Sequence, residues 1–148
     1  EDLRFTGIPS FAPELLRSVR ALDPMKAKHL EKALMQFAEE GAAKVFKPMI
    51  GSGYIVGVVG ALQFDVLASR IEQEYSLPVR FEGSQFSSAR WVNGPKAAVD
   101  AFVNINKGHI AADHDGDTVY LTRLQWDIDR VQRDHPELRL TATKEMMV

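Results

Sequence analysis

The sequence predicts an α+β fold, and three observations carry that expectation. Short apolar runs rich in β-branched residues, such as YIVGVV at 54–59, read as buried strands. Two segments, at 24–40 and 62–75, place apolar residues at helical spacing instead. Glycine or proline punctuates most junctions between the two kinds of segment.

Residues 1–12 (EDLRFTGIPSFA) hold one strand-like run, at 3–6, ended by Gly7 and Pro9, and look like the tail of a preceding domain or a linker. Residues 13–22 (PELLRSVRAL) fit a helix or a strand locally. Asp23-Pro24 then supplies an N-cap with proline at the first helical position. With a helix so firmly begun there, the preceding segment is better used as a strand. Leu30, Ala33, Leu34, Phe37 and Ala38 continue the helical spacing until Gly41 stops it. Residues 42–48 read as a strand, and the GSG turn at 51–53 leads into the strand at 54–59.

Gly57 and Gly60 are expected to allow a tight change of direction after that strand. The period then switches, so that Leu62, Val66, Ile71 and Tyr75, with Leu67 and Ala68, should form one buried helix face. Asp65, Arg70, Glu72 and Glu74 fall opposite, and Phe64 or Leu67 is expected in the core. PVRFE at 78–82 closes the unit as a strand. Residues 13–84 therefore read βαββαβ, a ferredoxin-like plait whose helices cover one sheet face and leave the other available.

Residues 85–148 are expected to form a smaller α/β extension packed on that plait. It would comprise a strand at 88–92, a helix at 96–104, a hairpin of 109–112 with 118–122, a helix at 124–135 and a strand at 138–141. Asp115-Gly116 is a favoured two-residue turn pair for the hairpin. This coarse order resembles the first half without any sequence repeat, so a second full plait stays an open alternative.

Bulk properties narrow the function classes. The 148 residues are 45% apolar and 26% charged, enough for a sizeable core and too ordered in composition for a disordered chain. A net charge of -2 argues against a free-standing nucleic-acid binder, so any RNA contact must come from a local patch. There are no cysteines, which excludes disulfides and thiolate chemistry. No run approaches the roughly 18 apolar residues that span a bilayer. The chain begins at Glu1 rather than Met and is expected to be a piece of a longer protein.

Catalytic and metal signals are weak. His109, Asp113, His114, Asp115 and Asp117 are the best metal cluster, yet counting from Asp113 puts glycine fourth and Leu124 twelfth, which fails the helix–loop–helix calcium spacing. Solvated acids at a hairpin tip are the favoured reading. No serine sits in a G-x-S-x-G elbow, and His29 and His135 lack an obvious acid partner. Glu39-Glu40 and Glu72/Glu74 look like solvated helix faces. Two features remain. Arg17, Arg20, Lys26, Lys28 and Lys32 stand against Asp23 and Glu31, a local net of +3 that could meet phosphates or merely solvate a helix. Arg90 and Trp91, beside Phe81 and Phe86, could stack on bases or belong to the core.

The runs FTGIPSFAPELLRSVRALDPMKAKHLEKALMQFAEEGAAKVFKP, IVGVVGALQFDVLASRIEQEY and SSARWV resemble the C-terminal domain of the bacterial class II peptide chain release factor, a translational GTPase. GALQFDV (60–66) and SSARWV (87–92) are the specific parts, and the plait is also similar to the third domain of elongation factor G. The resemblance implies a cytoplasmic, ribosome-binding domain of a termination factor that promotes release and recycling of class I release factors. Its partners would be small-subunit rRNA and ribosomal protein, without a membrane, and Arg17, Arg20, Lys26, Lys28, Lys32 and Arg90 would be ribosome-contacting residues. GTP and magnesium would belong to a separate domain, since no G-x-x-x-x-G-K-[ST] occurs here. The chain itself is then expected to have no catalytic residue, cofactor or metal. The alternatives are an RNA-recognition-like plait, which lacks its second strand aromatic here, and a small-molecule-binding plait.

Overall fold

The computed structural model describes residues 9–51 and 53–145; the strand-like run expected at 3–6 lies outside them. β1 (Pro9–Phe11) leads to β2 (Leu15–Ala21), the segment that fitted either helix or strand. Asp23 caps the next turn: its carboxylate accepts the Met25 N–H at 3.0 Å, with Pro24 opening the turn. That turn is 3₁₀, so α1 (Ala27–Glu40) starts later than the proline. Gly41, at φ 80°, ends α1 in the left-handed region. All five residues spaced for the helix face, Leu30, Ala33, Leu34, Phe37 and Ala38, are buried.

β3 (Lys44–Pro48), β4 (Tyr54–Val58), α2 (Leu62–Tyr75) and β5 (Val79–Gly83) complete the first unit. α2 forms where expected but presents a different face. Phe64, Leu67 and Ile71 are buried, whereas Leu62 and Val66 are 79% and 57% exposed. The buried stripe begins at Phe64, whose ring packs 5.2 Å from that of Phe81 on β5. Arg70 ties the two helices. It grips Glu40 of α1 with both terminal nitrogens (2.9 and 3.2 Å), reaches Glu74 at 3.3 Å, and covers the Phe37 ring at 4.7 Å. Glu40 and Glu74 stay exposed, as expected of solvated helix faces, and are also ion-pair partners of Arg70.

Neither Gly57 nor Gly60 has the positive φ that a forced turn would show. Gly57 lies inside β4, and a β-carbon there would fall 2.3 Å from Pro13 Cγ; the residue is needed for close approach of the chain. The helix entry is instead fixed by Gln63, whose side-chain oxygen accepts the Val59 and Gly60 N–H groups at 2.9 Å each.

The second half is β6 (Ser88–Asn93), α3 (Lys96–Ile105), β7 (Ile110–Ala112), β8 (Thr118–Thr122), α4 (Gln125–Asp134) and β9 (Arg139–Thr141). The extension therefore has the full βαββαβ order. The β7–β8 turn is the five residues 113–117 left between the expected strands: Asp113 N–H donates to the Asp117 carbonyl at 3.0 Å, and only Gly116 of the loop has positive φ, so Asp115-Gly116 is not a two-residue turn of the favoured kind. Such a turn would need positive φ at both central positions.

All strands but two join one antiparallel sheet in the order β5-β2-β4-β3-β7-β8-β6-β9. Each half has its first strand between its third and fourth, and the halves meet edge to edge where Lys47 and Pro48 of β3 pair with Ala112 and Ala111 of β7. β10 (Thr143–Glu145) returns to pair with β1.

Three apolar clusters follow from strand alternation. One lies under α1 and α2 (Val19, Val56, Phe37, Leu67), another under α3 and α4 (Val92, Tyr120, Phe102, Val131). The third joins Leu16, Phe46 and Ile55 of the first half to Ala89, Trp91, Val119 and Leu121 of the second. The two half-sheets thus face one another across it. The sheet face expected to stay available is covered at its centre, because Leu16, Phe46 and Ile55 leave it too apolar to face water, and stays open only toward the β2–β5 edge.

Truncating Leu67 to Ala should cost about 2–5 kcal/mol. Val66→Ala should stay within about 0.5 kcal/mol, as at exposed sites. Urea denaturation of both variants checks the helix face; a larger loss at Val66 than at Leu67 would contradict it.

Candidate functional site

The cations singled out in the sequence occupy separate surfaces. On β2, Arg17 and Arg20 are an odd number of residues apart and so point to opposite faces. The Arg17 guanidinium lies 4.9 Å from the Phe64 ring on the helix side. Lys26, in the turn before α1, reaches the Ser76 carbonyl at the end of α2 (3.4 Å). Lys28 and Lys32 are brought together as exposed neighbours one turn apart on α1, along a ridge shared with Glu31 and Met35. Arg90 is on the other half, donating to the Ala89 carbonyl (2.8 Å) and to Gln125 Oε1 (3.3 Å).

The aromatics beside Arg90 are no stacking platform. Phe86 and Trp91 are 6% and 4% exposed within the middle cluster, and Phe81 packs against the cluster under α1 and α2. The face on which an RNA-recognition module displays its aromatics is the one closed by the second half.

The acidic turn is where the structure departs furthest from solvated acids. Asp113, Asp115 and Asp117 converge, and Lys144 of β10 enters among them, with Nζ 2.5, 3.0 and 2.9 Å from one oxygen of each. The Trp91 indole N–H donates to the same Asp113 oxygen (3.0 Å), and the Asp115 and Asp117 N–H groups donate to the other (2.9 Å each). The Asp113 side chain is only 6% exposed. Burial pushes its carboxyl upward, but Lys144, the Asp117 amide and Trp91 together hold it below its ordinary value. Burial likewise opposes the charged form of Lys144, and the three carboxylates outweigh it and raise its pKa. The position a cation would take is filled by the chain's own ammonium. His109 stands apart from this group: its ring packs 5.7 Å from Phe86 and 5.9 Å from Tyr120, and its Nδ1–H donates to the Leu121 carbonyl at 3.1 Å.

Sequence reasoning missed Lys144, which lies 27 residues beyond Asp117 and is positioned only by the β1–β10 pairing. It also missed Arg80, the direct cross-strand partner of Arg20 on β5. Beside Arg20, on the sheet face away from the helices, is a groove of about 280 Å³ lined by Ser18, Ile50, Glu82, Ser84 and Gln85 among others. Ile50 and Gly53, together with Ser84, Gln85 and Phe86 between the two halves and Gly108 of the second, complete its lining, so it draws on both halves.

The architecture is that of a mixed α+β domain, and the family it matches is one of translation factors. Residues 5–132 match the family described as class II release factor RF3, C-terminal domain. The chain belongs to that family, as the resemblance of its GALQFDV and SSARWV segments implied. No helix among the described residues is long and apolar enough to cross a membrane.

Replacing Lys144 with Met should lower stability by about 1.5–3 kcal/mol, the range for hydrogen bonds to charged groups. Because the folded Asp113 pKa is depressed below 3.8, its contribution is complete above that pH and is lost as pH falls through the lower folded value. Lys144, raised above 10.5, contributes fully below that pH. Thermal unfolding across pH should therefore show a constant gap between wild type and Lys144→Met from about pH 4 to 10, narrowing in acid. A gap that persists unchanged in acid would contradict the assignment.

Proposed function

We propose that this chain is the ribosome-binding part of a cytoplasmic termination factor, and that it helps class I release factors to leave the ribosome. The observation that carries this reading is the family match over residues 5–132. The chain supplies binding surface rather than chemistry: its sequence contains no phosphate-binding G-x-x-x-x-G-K-[ST], and GTP with its magnesium is assigned to another domain of the parent protein. The small subunit, through rRNA and ribosomal protein, is the proposed partner. Lys28 and Lys32, neighbours on an exposed face, and Arg20, at the mouth of the groove, are the candidate cations best placed to meet phosphate, because neither Lys28 nor Arg20 is committed to an internal ion pair among the described residues.

The test has two parts. Co-sedimentation of the intact parent protein with ribosomes, with and without a non-hydrolysable GTP analogue, should give binding that weakens when residues 1–148 are deleted. Calorimetric titration of the 148-residue chain with GTP or GDP should give no heat of binding. Undiminished ribosome binding after the deletion would contradict the proposed role, and a micromolar nucleotide site on the chain would contradict the division of labour.

A further inference from the structure

On the outer face of the β2–β5 edge, Arg20 and Arg80 are direct cross-strand partners. Residues so opposed have β-carbons about 4.5–5.5 Å apart, and like charges there are destabilising. Both side chains are exposed, and among the described residues neither arginine has a carboxylate within ion-pair distance. The next register pair on the same face is Ser18 with Glu82. Ser18, Arg20 and Glu82 all line the groove, with Ser84 and Gln85 on its wall. The chain thus holds a repulsive pair of guanidinium groups on two rigid strands, beside a concavity rich in hydroxyl, amide and carboxylate groups.

We propose that this groove seats a segment of RNA backbone, with a phosphate on the Arg20–Arg80 pair and a neighbouring ribose 2′-OH donating to Glu82. The proposal rests on the ribosome-binding reading and names the part of the domain that meets rRNA. Each piece of the chemistry selects this occupant. Two planar guanidinium forks match the paired oxygens of a phosphodiester, and the bound anion relieves their repulsion. Glu82 can accept a hydrogen bond from a 2′-OH, the group by which RNA differs from DNA and which an acidic peptide does not offer. A repulsive pair kept on a sheet edge costs stability, as functional sites commonly do. The net charge of -2 requires that any such contact be local.

The test uses the 148-residue chain, fluorescein-labelled oligouridine, and the matching oligodeoxyuridine, read by anisotropy across salt concentrations. Wild type should bind the RNA more tightly than the DNA. In Arg20→Gln/Arg80→Gln the slope of log affinity against log salt should fall by about 0.7 for each phosphate that is no longer neutralised, the value for single strands. The Lys/Lys variant should keep the slope and lose affinity, since lysine preserves charge without the fork. Thermal melts of both variants should be no lower than wild type, which separates lost binding from lost folding. Equal affinity for RNA and DNA, displacement of the RNA by polyaspartate at equal charge, or an unchanged slope in the Gln/Gln variant would each overturn the proposal. Ribosome co-sedimentation of the same Gln/Gln variant distinguishes the two readings. Binding equal to wild type overturns the groove alone, while a wild type that fails to bind overturns the ribosome reading with it.

Discussion

The apolar cluster between the two half-sheets is the constraint on which the rest of this structure depends. Leu16, Phe46 and Ile55 come from one half, and Ala89, Trp91, Val119 and Leu121 from the other. Each large side chain buried there stabilises the fold by about 1.5–3 kcal/mol relative to exposure. Together they match the whole net stability of a typical domain, about 5–15 kcal/mol. Neither half keeps its open face in water at tolerable cost, and the β3–β7 pairing is the seam about which they close. The groove, the burial of Trp91 and the docking of β10 all follow from that closure.

What is legible in the sequence is whatever local chemistry decides. Asp23-Pro24 and Gly41 bound α1 because capping and left-handed backbone are local demands, and the five apolar residues between them leave a single face to bury. Element order is legible in both halves for the same reason. What is hidden depends on partners far along the chain. The phase of α2 is ambiguous locally, since Leu62 and Val66 are as apolar as Phe64 and Leu67, and only the packing of Phe81 chooses. The covered sheet face and the Lys144 clasp need the second half and the C-terminal strand in place. Gly57 suggests a turn by its spacing and serves a close approach instead, because Pro13 reaches it only in the folded sheet.

The electrostatic layout pairs some of the acids of a slightly acidic chain internally and leaves several cations outward. Three aspartates of the β7–β8 turn are drawn together by Lys144, which offsets one of their three charges and fastens the β1–β10 ribbon to the body of the domain. Arg70 consumes Glu40 and Glu74 in the same manner between α1 and α2. Cations left outward, such as Lys28, Lys32 and the Arg20–Arg80 pair, act locally over about a Debye length of 8 Å at physiological salt. The family to which the chain belongs places it among translation factors.

The central structural claim is that two βαββαβ halves share one core and unfold together. Native-state hydrogen exchange across a denaturant series tests it most directly, by comparing the Val19 amide on β2 with the Tyr120 amide on β8. The account predicts that both merge into a single opening free energy equal to the global value. Separate plateaus for the two halves, each with its own denaturant dependence, would contradict it.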